Sequence, residues 1–262
     1  MDIKKLLLDI VTFNFTDLKK RWDKLLRRFR RQFLYNEVNK PLPQDIPIII
    51  NNRDRYRYLK LVIDRCEEIG LTNIIILDND STYPPLLEYY KTTTHKVIRT
   101  GRNGGPRAIW SSEETKTYLS NYYIYTDPDV LPDLSVTLSC IENMLSTLQA
   151  NKGLEKIGLG LHIDDLPDHF DLKQEVISWE KQFHVNEINE RYFKAPVDTT
   201  FALYAPYQQG GGECAAYRTR APYLAKHLPW YENTALPNEE DVYYREHAKP
   251  ADSHWTQRMN ER

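Results

Sequence analysis

Two spacings of apolar residues divide the chain near residue 40. In LKKRWDKLLRRFRRQF, Leu18, Trp22, Leu25, Leu26, Phe29 and Phe33 fall on one face of a helix. Lys19, Lys20, Lys24, Arg27, Arg28, Arg30 and Arg31 occupy the opposite face. Residues 39–45, NKPLPQD, read as a linker. Beyond it, short continuous apolar runs alternate with helical patterns. IPIIINN, TNIIILDNDS, HKVIRTG and YYIYTDPD have strand length and are rich in β-branched or aromatic residues. YRYLKLVIDRCEEIG carries Tyr58, Leu61, Val62, Cys66 and Ile69 at helical spacing and stops at Gly70. PPLLEYYKTT predicts a short helix opened by prolines, and PRAIWSSEETKTYLS a further helix.

This alternation implies right-handed crossovers and an α/β fold with a mainly parallel sheet flanked by helices. Ligands of such sheets bind beyond the carboxyl ends of the strands. The polar residues gather at those ends: Asn51, Asn52 and Arg53 after the first run, Asp78, Asn79 and Asp80 after the second, Gly101 to Gly105 after the third, and Asp127 and Asp129 after the fourth. Pro128 forces Asp127 into an extended conformation. Two aspartates flanking it would then project to one side, about 6–7 Å apart. Such a pair repels unless a cation or a proton sits between its members.

Later segments are less regular. LSVTLSCIENMLSTLQAN predicts an amphipathic helix, and KIGLGLHIDDLP and VDTTFALYAP predict strands. YQQGGGECAAYRT reads as a glycine-rich loop and APYLAKHLPWYEN as a lid or loop. PNEEDVYYREHA predicts a short helix with acids in its first turn.

Charge changes the picture more than overall composition does. The chain of 262 residues has a net charge of −2, but residues 1–32 hold ten Lys or Arg against four Asp. That segment therefore carries +6 and the remainder −8. A basic amphipathic helix can lie on an anionic membrane surface or pack on its own domain with a solvated basic face. An acidic remainder argues against nucleic acid as a partner. Three scattered cysteines, Cys66, Cys140 and Cys214, form neither a zinc spacing nor a disulfide framework, which points to a reducing compartment. No apolar run reaches the ~18 residues of a membrane span, and the N-terminus lacks a signal-peptide pattern.

Taken in order, IIINNRDRYRYL, IIILDNDS, GRNGGPRAIW, IYTDPDVLPD and HLPWY…NEED…SHW resemble the GT-A fold of nucleotide-sugar glycosyltransferases. The nearest resemblance is to bacterial family 2-like enzymes of surface-polysaccharide synthesis. It covers roughly residues 45–255, within a domain expected over 41–262 behind a helical extension of residues 1–40. It implies a UDP-sugar donor, a glycan or lipid-linked glycan acceptor, and Mn2+ or Mg2+ as cofactor. It places the enzyme in the cytoplasm or peripherally on the inner face of the cell membrane.

The resemblance also assigns residues. Asn51, Arg53, Asp78 and Asp80 would hold the nucleoside, with Arg102 and Arg107 near the phosphates and Asn103, Gly104 and Asp127 as further donor-binding positions. Asp127 and Asp129 would bind the cation through the donor's diphosphate, Asp129 directly. His254 would complete the metal site, with His227 as its rival, and Gly210 to Gly212 would approach the donor sugar. Glu240 or Asp241 would be the general base of an inverting reaction. One departure is DNDS where the family has DDGS, which bears on the nucleoside contact. A sugar-nucleotide nucleotidyltransferase would carry a glycine-rich loop after its first strand, and NNRDRYRYL has no glycine. A catalytically silent glycan-binding or scaffold subunit with this fold is the alternative from another class.

Overall fold

The computed structural model describes residues 41–198, 200–208, 215–233 and 235–247, together with Trp22, Leu25, Leu26 and Phe29. The chain divides into two units, Met1–Asn39 and Lys40–Arg262. In the first, the four described residues are helical and their side chains are exposed.

The second unit is an α/β domain built on a nine-stranded sheet. Its first half alternates β1 (Ile48–Asn52), α1 (Tyr56–Ile69), β2 (Ile74–Asp78), α2 (Pro84–Thr92), β3 (Lys96–Arg99), a short helix α3 (Ala108–Ser111) and β4 (Tyr123–Thr126). These strands lie parallel in the order β3-β2-β1-β4. β1 and β2 are buried at every position, so both read as continuous apolar runs rather than alternating ones. α1 buries Tyr58, Leu59, Val62, Ile63, Cys66 and Ile69, and ends where Gly70 takes φ 93°.

The predicted long helix after β3 is not formed. α3 spans four residues between single turns of 3-10 helix. The Thr115 hydroxyl donates to the carbonyls of Ile109 and Ser112, capturing backbone acceptors that a continuing helix would need.

The second half is mixed. It runs β5 (Val130–Pro132), α4 (Leu138–Ala150), β6 (Lys156–Gly158), β7 (Gly160–Leu161), α5 (Lys173–Lys181), β8 (Glu187–Asn189), β9 (Tyr192–Lys194), β10 (Ala202–Tyr204), β11 (Ala216–Thr219), β12 (Leu224–His227) and α6 (Glu239–His247). β10 joins β4 antiparallel and carries β6, β11, β9 and β8 outward. β5, β12 and β7 form a separate small sheet. The segment expected as a lid or loop is thus partly the strand β12, whose His227 pairs in register with Val130 of β5.

Cys66 and Cys140 are free and buried. Burial pushes their thiols up to about 12 and about 11, respectively, which removes them from thiolate chemistry.

Candidate active site

Side chains tie the ends of β1, β2 and β3 and the loops that follow them to one another. At the end of β1, Asn51 Nδ2 donates to the Gly105 carbonyl at 3.2 Å, and Asn79 Nδ2 donates to the same oxygen at 3.0 Å. Asn79 Oδ1 accepts from the Gly104 amide at 2.7 Å. Gly105 takes φ 66°, a conformation that favours glycine, so the turn can present its carbonyl to both amides. Asn103 Oδ1 accepts from the Gly105 amide at 2.8 Å. Three of the expected positions, Asn51, Asn103 and Gly104, therefore meet at one knot whose centre is Asn79. Nothing in the apolar pattern marked Asn79; its only signal was its place between Asp78 and Asp80 at a strand end.

Asp78 is 1% exposed and accepts from the Ser81 amide, the Tyr90 hydroxyl and Arg99 Nε at 3.2–3.3 Å. Burial raises its pKa despite these donors. Asp80 sits beside it with φ 69°. Asp54, also buried, takes φ 52° and accepts from the amides of Thr82 and Tyr83 at 2.6 and 2.8 Å. It thereby binds the loop after β1 to the loop after β2, a role sequence reasoning missed.

Arg53 donates to the His247 carbonyl at 3.1 Å. Arg102 donates to the Ser111 carbonyl at 3.0 Å, and the Arg107 guanidinium lies 6.0 Å from the Trp110 ring centre. Beside β3, a cavity of about 250 Å3 is lined in part by Thr100, Arg102, Gly104 and Ser111; it includes neither Asp127 nor Asp129.

Asp127 and Asp129 leave β4 differently from the expectation. Pro128 and Asp129 form a turn into β5, so the aspartates do not continue an extended strand. The turn sets Asp129 beside β12: its carbonyl accepts from the Leu228 amide at 2.8 Å, and its Oδ2 lies 3.7 Å from His227 Nε2. That separation is too long for a hydrogen bond. Adjacent ligands of an octahedral ion, each about 2.0–2.1 Å from it, lie about 3 Å apart, so the pair would have to close by about 0.7 Å to share one. Burial lowers the pKa of His227, favouring the neutral imidazole that ligates metals. Among the described residues Nδ1 of His227 is buried without a partner, leaving Nε2 as the nitrogen aimed at the aspartate. Asp129 and His227 offer one carboxylate and one neutral imidazole, and Asp127 does not join them in a group of three metal-ligating side chains. No group of three or more metal-ligating side chains is assembled among the described residues. His254 and the Gly210–Gly212 run lie outside the described residues.

Glu240 and Asp241 are buried in the first turn of α6. Glu240 Oε2 accepts from the amides of Tyr56 and Arg57 at 2.8 and 2.7 Å. Asp241 Oδ1 pairs with Arg55 Nη1 at 2.7 Å. Both acids expected to serve as a base are therefore engaged with the loop and helix that follow β1.

No protein-family model matches the sequence, and no curated protein matches it. Solved structures do. Glucosyl-3-phosphoglycerate synthase from Mycobacterium tuberculosis, in complex with Mn2+ and UDP-glucose, is 13% identical over 62% of this chain and 56% of its own, at a TM-score of 0.36. S. aureus TarS is 10% identical over 70% of this chain and 60% of its own, at a TM-score of 0.40. GalNAc-T7 with UDP, GalNAc and Mn2+ is 13% identical over 83% of this chain and 54% of its own, at a TM-score of 0.48. The chain thus spans 54–60% of the length of these three structures. Similarity at this level says nothing of chemistry, which has to come from the chain's own residues.

Proposed function

We propose that this protein is a metal-dependent glycosyltransferase that moves a sugar from a nucleotide-sugar, a UDP-sugar first, to a lipid-linked or surface-polysaccharide acceptor. The observation that carries the reading is the pairing of Asp129 with His227, 3.7 Å apart, at the end of the fourth parallel strand. Asp129 and His227 would hold Mn2+ or Mg2+, with Asp127 and His254 as further candidate ligands. When bound, such an ion supplies neutralisation of the charge gathering on the departing nucleoside diphosphate.

The chain's own loops do the positioning. The knot of Asn51, Asn79 and Gly105 fixes the phosphate-side loop, where Arg102 and Arg107 are the nearby cations. The linked loops around Arg53, Asp78 and Asp80 would hold the nucleoside. A thermal-shift panel of UDP, GDP, CMP and dTDP with and without Mn2+ tests the reading, because a ligand that binds the native state raises its Tm. UDP with Mn2+ should give the largest shift; no shift from any nucleotide counts against the proposal.

The same reading extends to a membrane surface. Trp22, Leu25, Leu26 and Phe29 are helical, at spacings of three and four, and 46–63% exposed. Their face is flanked in sequence by ten basic residues within the first 32. Each basic residue near an anionic bilayer is worth about 1 kcal/mol. Deleting residues 1–32 should weaken sedimentation with anionic liposomes while turnover of a soluble acceptor analogue persists. Raised salt should mimic the deletion, and unchanged sedimentation would remove the membrane from the account. No helix among the described residues is long and apolar enough to cross a membrane.

A further inference from the structure

α1 begins without a cap of its own. Its N-cap residue is Arg55, which makes no side-chain cap bond, and its first turn holds no acid. The first amide groups of a helix have no partner within it and need one from elsewhere. Here the partner comes from 183–184 residues along the chain, in the carboxylate of Glu240. Around that contact α6 makes others. Asp241 pairs with Arg55, whose guanidinium also lies 3.7 Å from the Tyr244 ring centre. The Tyr243 hydroxyl donates to Thr82 Oγ1 at 3.0 Å, its ring lies 4.8 Å from that of Tyr83, and the His247 carbonyl receives Arg53. One nine-residue helix therefore grips the loop after β1 and the loop after β2 at once.

We infer that α6 is a clasp for these two loops, and that Glu240 is a positioning residue that sets donor affinity through the amides of Tyr56 and Arg57. The inference rests on the donor reading above. It reverses the signature expected of a general base. A base acts on the acceptor's proton, so its loss lowers turnover and spares donor binding. A clasp acts on the loops, so its loss weakens donor binding and leaves the pH profile of kcat in place.

Glu240→Ala and Glu240→Gln separate the two. The amide oxygen of Gln can still accept from both backbone N–H groups, whereas Ala cannot. Titration calorimetry of UDP with Mn2+ should find donor binding weakened about 5-fold in Glu240→Ala, given the usual worth of a helix cap. Glu240→Gln should recover most of that affinity and keep the wild-type pH profile. Loss of turnover by ~10²–10⁴-fold in Glu240→Gln with donor affinity unchanged would overturn the clasp and restore the base. Wild-type donor affinity in a folded Glu240→Ala also overturns it; should that variant fail to fold, Tyr243→Phe, which removes only the bond to Thr82, decides instead, with weakened donor binding supporting the clasp and wild-type affinity rejecting it. If wild type binds no nucleoside diphosphate, the donor reading fails separately. Amide hydrogen exchange at Tyr56 and Arg57 then judges the clasp: faster exchange in Glu240→Ala supports it, and unchanged exchange rejects it.

Discussion

The two halves of the domain are held together by different means. Around β1 and β2 the interior is aliphatic: Ile48, Ile49, Ile50, Ile76 and Leu77 are all 0% exposed. Around β11 and α5 the interior contains a charge pair. Arg218 and Glu180, 2.6 Å apart and 4% and 6% exposed in their side chains, close against each other. Arg218 also donates to the Pro196 carbonyl at 2.6 Å and lies 4.1 Å from the Phe183 ring centre. The first half gives the strand ends a stiff platform from which loops can hold a small ligand. The second half adds strands of two to four residues to that platform and admits a charge pair to its interior.

Mutations can break this contrast. Arg218→Ala leaves the Glu180 carboxylate buried and unpaired, and we expect the largest loss of stability, about 3–5 kcal/mol by urea denaturation. A much smaller loss would mean that the pair is dispensable and the halves are alike. Ile76→Val removes one methylene from a site with no charge at stake, and should cost about 0.5–1.5 kcal/mol. A cost equal to that of Arg218→Ala would erase the distinction in the other direction.

The same contrast explains what could be read from the sequence. The runs at Ile48–Asn52 and Ile74–Asp78 were legible because a parallel strand covered on both faces needs apolar residues at every position. Their polar ends were legible for the same reason, as interruptions of a uniform pattern. α5 was not legible, because Glu180 occupies a buried position four residues after Val176 and breaks the apolar period. Only Arg218, distant in sequence, makes that acid acceptable. β12 read as a lid or loop because Lys226 and His227 disguise it, one paired with Asp165 and the other facing Asp129. Within the site, the strand-end positions of Asn51, Asp78 and Asp129 were foreseen, but their partners were not. Asp54 and Asn79 work through backbone amides of other loops, and no local pattern encodes such pairs.

The central claim is that Asp129 on one half and His227 on the other bring a divalent cation to a nucleoside diphosphate. Titration calorimetry of UDP into wild type and Asp129→Ala, each with Mn2+ and with chelator, tests it most directly. The Asp129 side chain is 20% exposed and its carboxylate lies 3.7 Å from His227 Nε2, too far for a hydrogen bond, so the variant should keep the wild-type Tm. The account predicts UDP binding by wild type that requires Mn2+ and is lost in Asp129→Ala. Binding of equal strength in the variant, or binding by wild type that ignores the metal, would contradict it.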